Sequence, residues 1–362
     1  MAYYPDWAGD SFPPEDVDCS RFDWIDFAFA LPTKAFDLTW DDPNVAPGLL
    51  TRLVEVAHSC NKKVKLSIGG WTGSQHFSTA VATPSSRKTF VANILKVYHF
   101  FEVDGIDIDW EYPGVQGVGD NDVNENDAAN FLSFLQLLRS QLPPLAVITA
   151  ATTTTPFAGE DGQPLKDVTP FAKVLDWITL MNYDAWGSSS TPGPNAPLND
   201  GCKNSTQPDA NAVAGYNAWS KAGMPAKQQV LGVPAYGYVS KSNATQLRTR
   251  QNPLRLKAEG DQIQFRDLVK QGALVASSNS NKYGPNFDGA CGFTREWDCC
   301  SSTPFLRSPS EHQVVTFDDV QSIGMKAEWA KRVGMLGVNM FDASGDTGHL
   351  VDAIRRGLGL TS

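Results

Sequence analysis

Seven short runs rich in β-branched and aromatic residues recur along the chain, with helix-like stretches between them. The runs are WIDFAFAL (24–31), KVKLSIGG (63–70), VDGIDIDWEY (103–112), AVITAATT (146–153), WITLMNYDAW (177–186), QVLGVPAYGY (229–238) and MLGVNMFDAS (335–344). PGLLTRLVEVAHSC, SSRKTFVANILKVYHFF, ENDAANFLSFLQLLRSQL and DDVQSIGMKAEWAKRVG read as helices between them. Near-continuous apolar strands alternating with amphipathic helices predict a parallel sheet covered by helices. The aromatic start YYPDW adds one more strand. Eight β/α units favour a (β/α)8 TIM barrel, an α/β fold, over an open doubly wound sheet.

One interval breaks this rhythm. Residues 239–316 are far longer than a single crossover helix, rich in Asn, Ser and Gly, and carry Cys291, Cys299 and Cys300. A structureless loop of that length is uncommon in a compact domain. The segment is therefore expected to form a small α+β insertion after the seventh strand, with the barrel itself made by residues 1–238 and 317–362. Loops after barrel strands lie on the face where such barrels carry their chemistry, so the insertion would wall a groove.

The third run crowds acids. DGIDIDWEYP (104–113) holds Asp104, Asp107, Asp109 and Glu111 among Ile and Trp. Alternate side chains of a strand share a face. Asp107, Asp109 and Glu111 therefore point one way, into the barrel, while Ile106, Ile108 and Trp110 point toward the helices. Asp104 has the opposite parity and is expected to be structural. Ionised carboxylates stacked in a core repel one another, so the set should hold a shared proton and supply a general acid at Glu111, the last of the three. A hard-cation site would use the same residue types, and a solvated strand face would tolerate them.

Charge and cysteines narrow the setting. A net charge of -10 and a pI near 5.0 argue against nucleic acid or an anionic membrane as partner. No apolar run is long enough to cross a membrane as a helix. Six cysteines (Cys19, Cys60, Cys202, Cys291, Cys299, Cys300) form no CxxC pair. With sequons at Asn204 and Asn243 they fit a secreted, disulfide-bonded glycoprotein, and 15 pairings are open. The abrupt start MAYYPDW is expected to follow a removed leader, with Met1 added.

Five motifs in chain order resemble glycoside hydrolase family 18, the chitinases. DGIDIDWE (104–111) is similar to its DxxDxDxE motif and SIGGW (67–71) to its SxGG motif. MNYD (181–184) resembles its sixth-strand signature, YYPDW (3–7) its first strand and TFDDVQSIGMKAEWAK (316–331) its last helix. The resemblance implies an endo- or exo-acting chitinase that cleaves β-1,4-linked N-acetylglucosamine with retention, by substrate assistance. It implies that Glu111 is the acid, that Asp109 orients the acetamide, and that Asp107 shares a proton with Asp109. Tyr183 would donate to the acetamide carbonyl and Asp184 would hold the distorted sugar. Met181 would pack beneath the acetamide, and Tyr3 and Ser67 would bond to the aspartate pair. Gly70, Trp71 and Tyr236 would line the groove, with Trp7, Trp186 and Trp297 as further stacking candidates. Where the family places a Trp at the end of the eighth strand, this chain has Phe341, which stacks with less area and no indole N–H. No cofactor or metal is implied. The implied partners are chitin and chitooligosaccharides, bound by a monomer.

Two rivals share the barrel. A chitin-binding lectin would typically lack the acid that Glu111 supplies. An endo-β-N-acetylglucosaminidase acting on glycoprotein glycans would generally lack the long insertion. Signatures of other hydrolase classes, GxSxG, HExxH and the P-loop, are missing from the sequence.

Overall fold

A computed structural model describes residues 1–242 and 261–360. Asn243, the second sequon, and the interval 243–260 of the insertion lie outside the described residues. Eight parallel strands form a closed barrel surrounded by helices: β1 (Ala2–Pro5), β2 (Trp24–Pro32), β3 (Lys63–Gly69), β4 (Gly105–Asp109), β5 (Val147–Thr152), β6 (Trp177–Met181), β7 (Gln229–Pro234) and β8 (Gly337–Phe341). These are the aromatic start and the seven runs of the sequence. The chain divides into two compact units, Met1–Thr179 with Ala218–Gln229 and Leu180–Asn217 with Val230–Ser362.

In the first unit, β1 to β5 lie side by side in register. Tyr3 pairs with Asp26, Asp26 with Lys65 and Lys65 with Gly105; one step along, Ser67 pairs with Asp107 and Asp107 with Thr149. The β2–β3 register shifts between Ala28 and Ala30, so Phe29 is an extra residue there. Every residue of β4 is buried. Just past its end the Trp110 ring packs on helices, stacking on Phe77 at 5.3 Å and meeting Phe131 edge-on at 5.4 Å.

The covering helices follow their apolar spacing. Ala46–Ser59 buries Leu49, Leu50, Leu53, Val54 and Ala57, a stripe of i, i+3, i+4 neighbours. Pro84–Phe101 begins where Thr83 and Ser86 satisfy each other's backbone N–H groups in a capping box, with Pro84 at the first position. Asp127–Gln141 buries Phe131, Phe134, Leu135 and Leu138. A disulfide joins Cys19, just before β2, to Cys60, just after the first of these helices.

In the second unit, β7 and β8 pair in parallel from Val230↔Gly337 to Pro234↔Phe341. The run 229–238, read from the sequence as one strand, is two: β7 ends at Pro234, and a new strand, Tyr236–Lys241, starts beyond Ala235. That strand belongs to a five-stranded sheet in the order Gln262–Gln264, Tyr236–Lys241, Gln313–Thr316, Thr303–Ser308, Thr294–Asp298. All four neighbouring pairs in it are antiparallel. The short helix Phe265–Lys270 and the hairpin Leu274–Asn281 with Gly284–Gly289 complete the mixed α and β elements between β7 and β8. The helix Val320–Arg332 starts on a second capping box, Asp319 with Ser322, and buries Lys326 against Asp318. Of the cysteines here, Cys202 and Cys300 are bonded, while Cys291 and Cys299 are exposed thiols.

Candidate active site

Strand β4 and the turn after it set the acids. Asp107 is fully buried, and both its oxygens accept hydrogen bonds. Tyr3 Oη donates at 3.0 Å and Ser67 Oγ at 2.7 Å to Oδ2, and Thr149 Oγ1 donates to Oδ1. Ser67 and Thr149 are its lateral partners on β3 and β5, so the strand register itself makes this cradle. One layer below, the Lys65 ammonium has no solvent exposure. It lies 3.2 Å from Asp26 and 4.0 Å from Asp107, donates to Thr149 Oγ1 at 2.8 Å, and sits 4.6 Å from the centre of the Trp177 ring. A buried ammonium without such partners would be very costly.

Asp109 stands differently. Its Oδ1 is buried and has no hydrogen-bond partner among the described residues. Burial first, then the charges of Glu111 and Asp107, push its carboxyl well above the usual carboxylate range. The environment thus favours a proton on Asp109. Asp104, of opposite parity, is held by Lys63 Nζ at 2.7 Å, His58 Nε2 at 2.8 Å and the Val64 N–H at 3.0 Å. Burial opposes its charge, but those bonds outweigh it and keep the carboxyl below its usual range. It is a structural acid, as its parity predicts.

Glu111 is buried, with 8% exposure, one residue past Trp110. Its backbone is fixed from a loop that the sequence does not advertise. Ser74 Oγ accepts from the Glu111 N–H at 2.9 Å and donates to Gly70 O at 2.8 Å and Asp109 O at 3.2 Å. The glycines of SIGGW allow this approach. A Cβ on Gly69, at φ 114°, would lie 2.2 Å from Asp109 O, and one on Gly70, at φ 82°, would lie 2.9 Å from the Phe29 ring. The Gly70 N–H donates to Asp109 O at 2.8 Å. Trp71 follows, half-buried.

The second unit gathers the other expected residues. Asp184, at φ 56°, accepts from Tyr236 Oη at 2.7 Å and from Tyr238 Oη, and its N–H donates to Asn195 Oδ1 at 2.8 Å. Asn195 Nδ2 returns to Tyr236 O at 3.0 Å. Burial, then the Asp184 charge, raises both phenols well above their ordinary value, so they remain donors. The Tyr183 ring lies 6.1 Å from Tyr236 and 6.0 Å from Phe341, and Phe341 lies 6.3 Å from Tyr236. Met181, half-buried, ends β6. Of the other tryptophans, Trp186 is only 3% exposed, and Gly193 lies so close that a Cβ there would be 2.5 Å from its ring. It is core, and offers no groove platform. Trp297 is half-buried under the Arg295 guanidinium, 5.4 Å from its ring centre.

Lys65, Thr149, Ser74, Asn195 and Tyr238 escaped the sequence reading. Lys65 was detectable in part, since it shares parity with Ser67 and so places a charge inside the barrel.

The chain matches the model of "Glycosyl hydrolases family 18" over residues 1–346. It is 40% identical to a "chitinase-like effector" of Moniliophthora roreri, covering 99% of this chain and 92% of that protein. It is 30% identical to Chitinase A1 of Niallia circulans over 89% of this chain and 45% of that one. Among solved structures it is similar to a chitinase from Rhizomucor miehei, with a TM-score of 0.84, 32% identity and 98% of each chain covered.

Proposed function

Because the chain belongs to glycosyl hydrolases family 18, we propose that it is a chitinase cleaving β-1,4-linked N-acetylglucosamine polymers, endo- or exo-acting, with retention through substrate assistance. The observation that carries this reading is the Asp109 carboxyl, which favours a proton and has an unpartnered buried Oδ1 beside Glu111. Such a group suits an acetamide, whose N–H supplies the donor that the unpartnered Asp109 Oδ1 lacks.

Glu111 gives its proton to the glycosidic oxygen as the C1–O bond breaks. The carbonyl oxygen of the substrate's own 2-acetamido group bonds to C1 and forms an oxazolinium ion. The tether between acetamide and C1 supplies the proximity advantage. Asp109 holds the acetamide N–H. A second carboxylate pushed against Glu111 as nucleophile is not needed, which is the exception this family makes among retaining glycosidases. Water then attacks C1 from the side the leaving group vacated, gives its proton to Glu111, and the C1–O bond of the oxazolinium breaks. Two inversions leave the β configuration. The family's roles for Tyr183, as donor to the acetamide carbonyl, and for Asp184, Met181, Trp71 and Phe341, as sugar contacts, are part of the same proposal. So are secretion and a monomeric state; the two disulfides support the former.

A second reading, binding of chitin without turnover, is favoured by the "chitinase-like effector" names of relatives from Moniliophthora roreri and Moniliophthora perniciosa. One experiment separates the two. The parent and Glu111→Gln are mixed with an N-acetylglucosamine hexamer, and fresh products are followed by proton NMR. Hydrolysis gives β-anomers from the parent and a rate lower by about 10²–10⁴-fold in the variant. Fresh α-anomers, or equal rates, would sink the mechanism. Binding without cleavage by either protein would establish the second reading.

A further inference from the structure

The layer beneath the acids holds a cation that the reaction described above does not use. The Lys65 ammonium is fully buried, 3.2 Å from Asp26 and 4.0 Å from Asp107 Oδ1. In the first unit the titratable groups facing this layer are Tyr3 of β1, Asp26 of β2, Asp107 and Asp109 of β4, and Glu111 beyond them. The Thr149 hydroxyl of β5 and the Trp177 ring of β6 complete the surroundings.

An ammonium only donates, and this fixes the direction of the bonds around it. Lys65 Nζ donates to Thr149 Oγ1 at 2.8 Å, so the single proton of that hydroxyl is left for Asp107 Oδ1. Tyr3 and Ser67 donate to Oδ2 at 3.0 and 2.7 Å. Both lone pairs of Oδ2 are thus occupied, and the remaining one on Oδ1 belongs to an oxygen 4.0 Å from a positive charge. This cradle suits a carboxylate and leaves no good place for a proton. Asp109 is the opposite case. Its Oδ1 is buried without a partner among the described residues, and burial, then the charges of Glu111 and Asp107, raise its carboxyl.

We propose that Lys65 is a positioning residue for the proton of this site: directly and through Thr149 it keeps Asp107 ionised, so the proton of the aspartate pair stays on Asp109, beside Glu111, instead of being shared. Only the kinetic consequence rests on the chitin-cleaving reading above. A proton that slipped down to Asp107 would leave the Asp109 charge against Glu111, and Glu111 would then hold its own proton more tightly. Such an acid is a poorer donor to a leaving group. Lys65 closes that route, and Asp26 balances its charge so that the pair adds none to the interior.

Removing Lys65 alone would strand Asp26, so the test removes both, as Lys65→Met with Asp26→Asn in the full chain. Infrared spectra at neutral pH without substrate locate the proton. In the parent, adding Asp109→Asn should abolish one carbonyl band of a protonated carboxyl; in the double variant the same addition should abolish none. The pH profile of kcat/KM on the N-acetylglucosamine hexamer reads the effect on Glu111, and its alkaline limb should move up by about one unit in the double variant. A merely structural pair would change kcat and leave the limb in place. Should the double variant not fold, Thr149→Val breaks the relay by itself, and the limb should move up by about half a unit. A parent that loses no band with Asp109→Asn, or a folded variant whose limb stays or moves down, overturns the proposal. If the parent does not cleave the hexamer, the chitin reading falls and the infrared comparison alone decides this one.

Discussion

Replacing Ser74 by alanine removes one buried hydroxyl and tests how Glu111 is held. That hydroxyl accepts from the Glu111 N–H at 2.9 Å and donates to Gly70 O at 2.8 Å, with Asp109 O at 3.2 Å sharing the same proton. Two hydrogen bonds are lost, each contributing about 1 kcal/mol, so the variant should be less stable by about 2 kcal/mol. With an unfolding entropy of about 2.1 cal/mol/K per residue, that loss lowers the Tm of a 362-residue chain by about 3 °C. Catalysis should suffer more. The hydroxyl ties the turn after SIGGW to the residue that carries the proton, and a displacement near 1 Å at a reacting group can lower a rate about 10²-fold. The expected result is kcat reduced by about 10- to 100-fold with KM changed by less than about threefold, because sugar contacts elsewhere are untouched. Scanning calorimetry gives the Tm, and initial rates on the N-acetylglucosamine hexamer give the kinetic constants. A variant with the 3 °C loss but the parent's kcat would refute Ser74 as a positioning residue, and a variant with neither change would refute the bonds themselves.

The remaining expectations concern the same strand and its supports. Asp109 has a raised native carboxyl value, so ionising it destabilises the fold, and stability falls as pH rises from the unfolded value near 3.8 through the native one. Asp109→Asn cannot ionise; in paired scans at pH 4 and pH 8 its Tm relative to the parent should be higher at pH 8, and an equal difference would count against the buried charge. Gly69→Ala should lose roughly 3 kcal/mol or more, seen as a lowered Tm or failure to fold, since its Cβ would meet Asp109 O at 2.2 Å at a φ of 114°. Breaking Cys202–Cys300 by paired serine substitutions, across a sequence separation of 98, should lower stability by about 2–5 kcal/mol in denaturant titrations. A loss below about 1 kcal/mol would mean that the bridge does little.

The parts legible in the sequence are those whose physics is local. Alternation along DGIDIDWE fixes which side chains share a face, so the inward acids, the outward Trp110 and the structural Asp104 follow without knowledge of any neighbour. The strand count follows in the same way from repeated apolar runs. What escaped depends on lateral register, and register is set by pairing across the barrel. Thr149 becomes the neighbour of Asp107 only once β5 is aligned with β4. Ser74 lies in a turn with no periodicity, and nothing in SQHF marks it as the partner of Glu111. The break at Ala235 was hidden because QVLGVPAYGY is apolar on both sides of it, and the two strands differ only in the sheet they join. Composition misplaced Trp186, since a tryptophan near a strand end looks the same from the sequence whether it stacks on a sugar or closes a core. Six cysteines suggested bridges, but an even count does not reveal that Cys291 and Cys299 remain thiols.

The Asp107 cradle also bears on how far this chemistry can be transplanted. The acids belong to one strand, yet the groups that hold Asp107 come from others: Tyr3 on β1, Ser67 on β3 and Thr149 on β5, with the Lys65 ammonium of β3 matched to Asp26 of β2. Grafting DGIDIDWE alone into another barrel would carry the negative charges without their counterweight. Removing Lys65 by itself would strand Asp26 in the interior, where an unpaired charge is far more damaging than a missing pair. The transferable unit is five adjacent strands, and a scaffold that receives the motif must receive its interior layer with it.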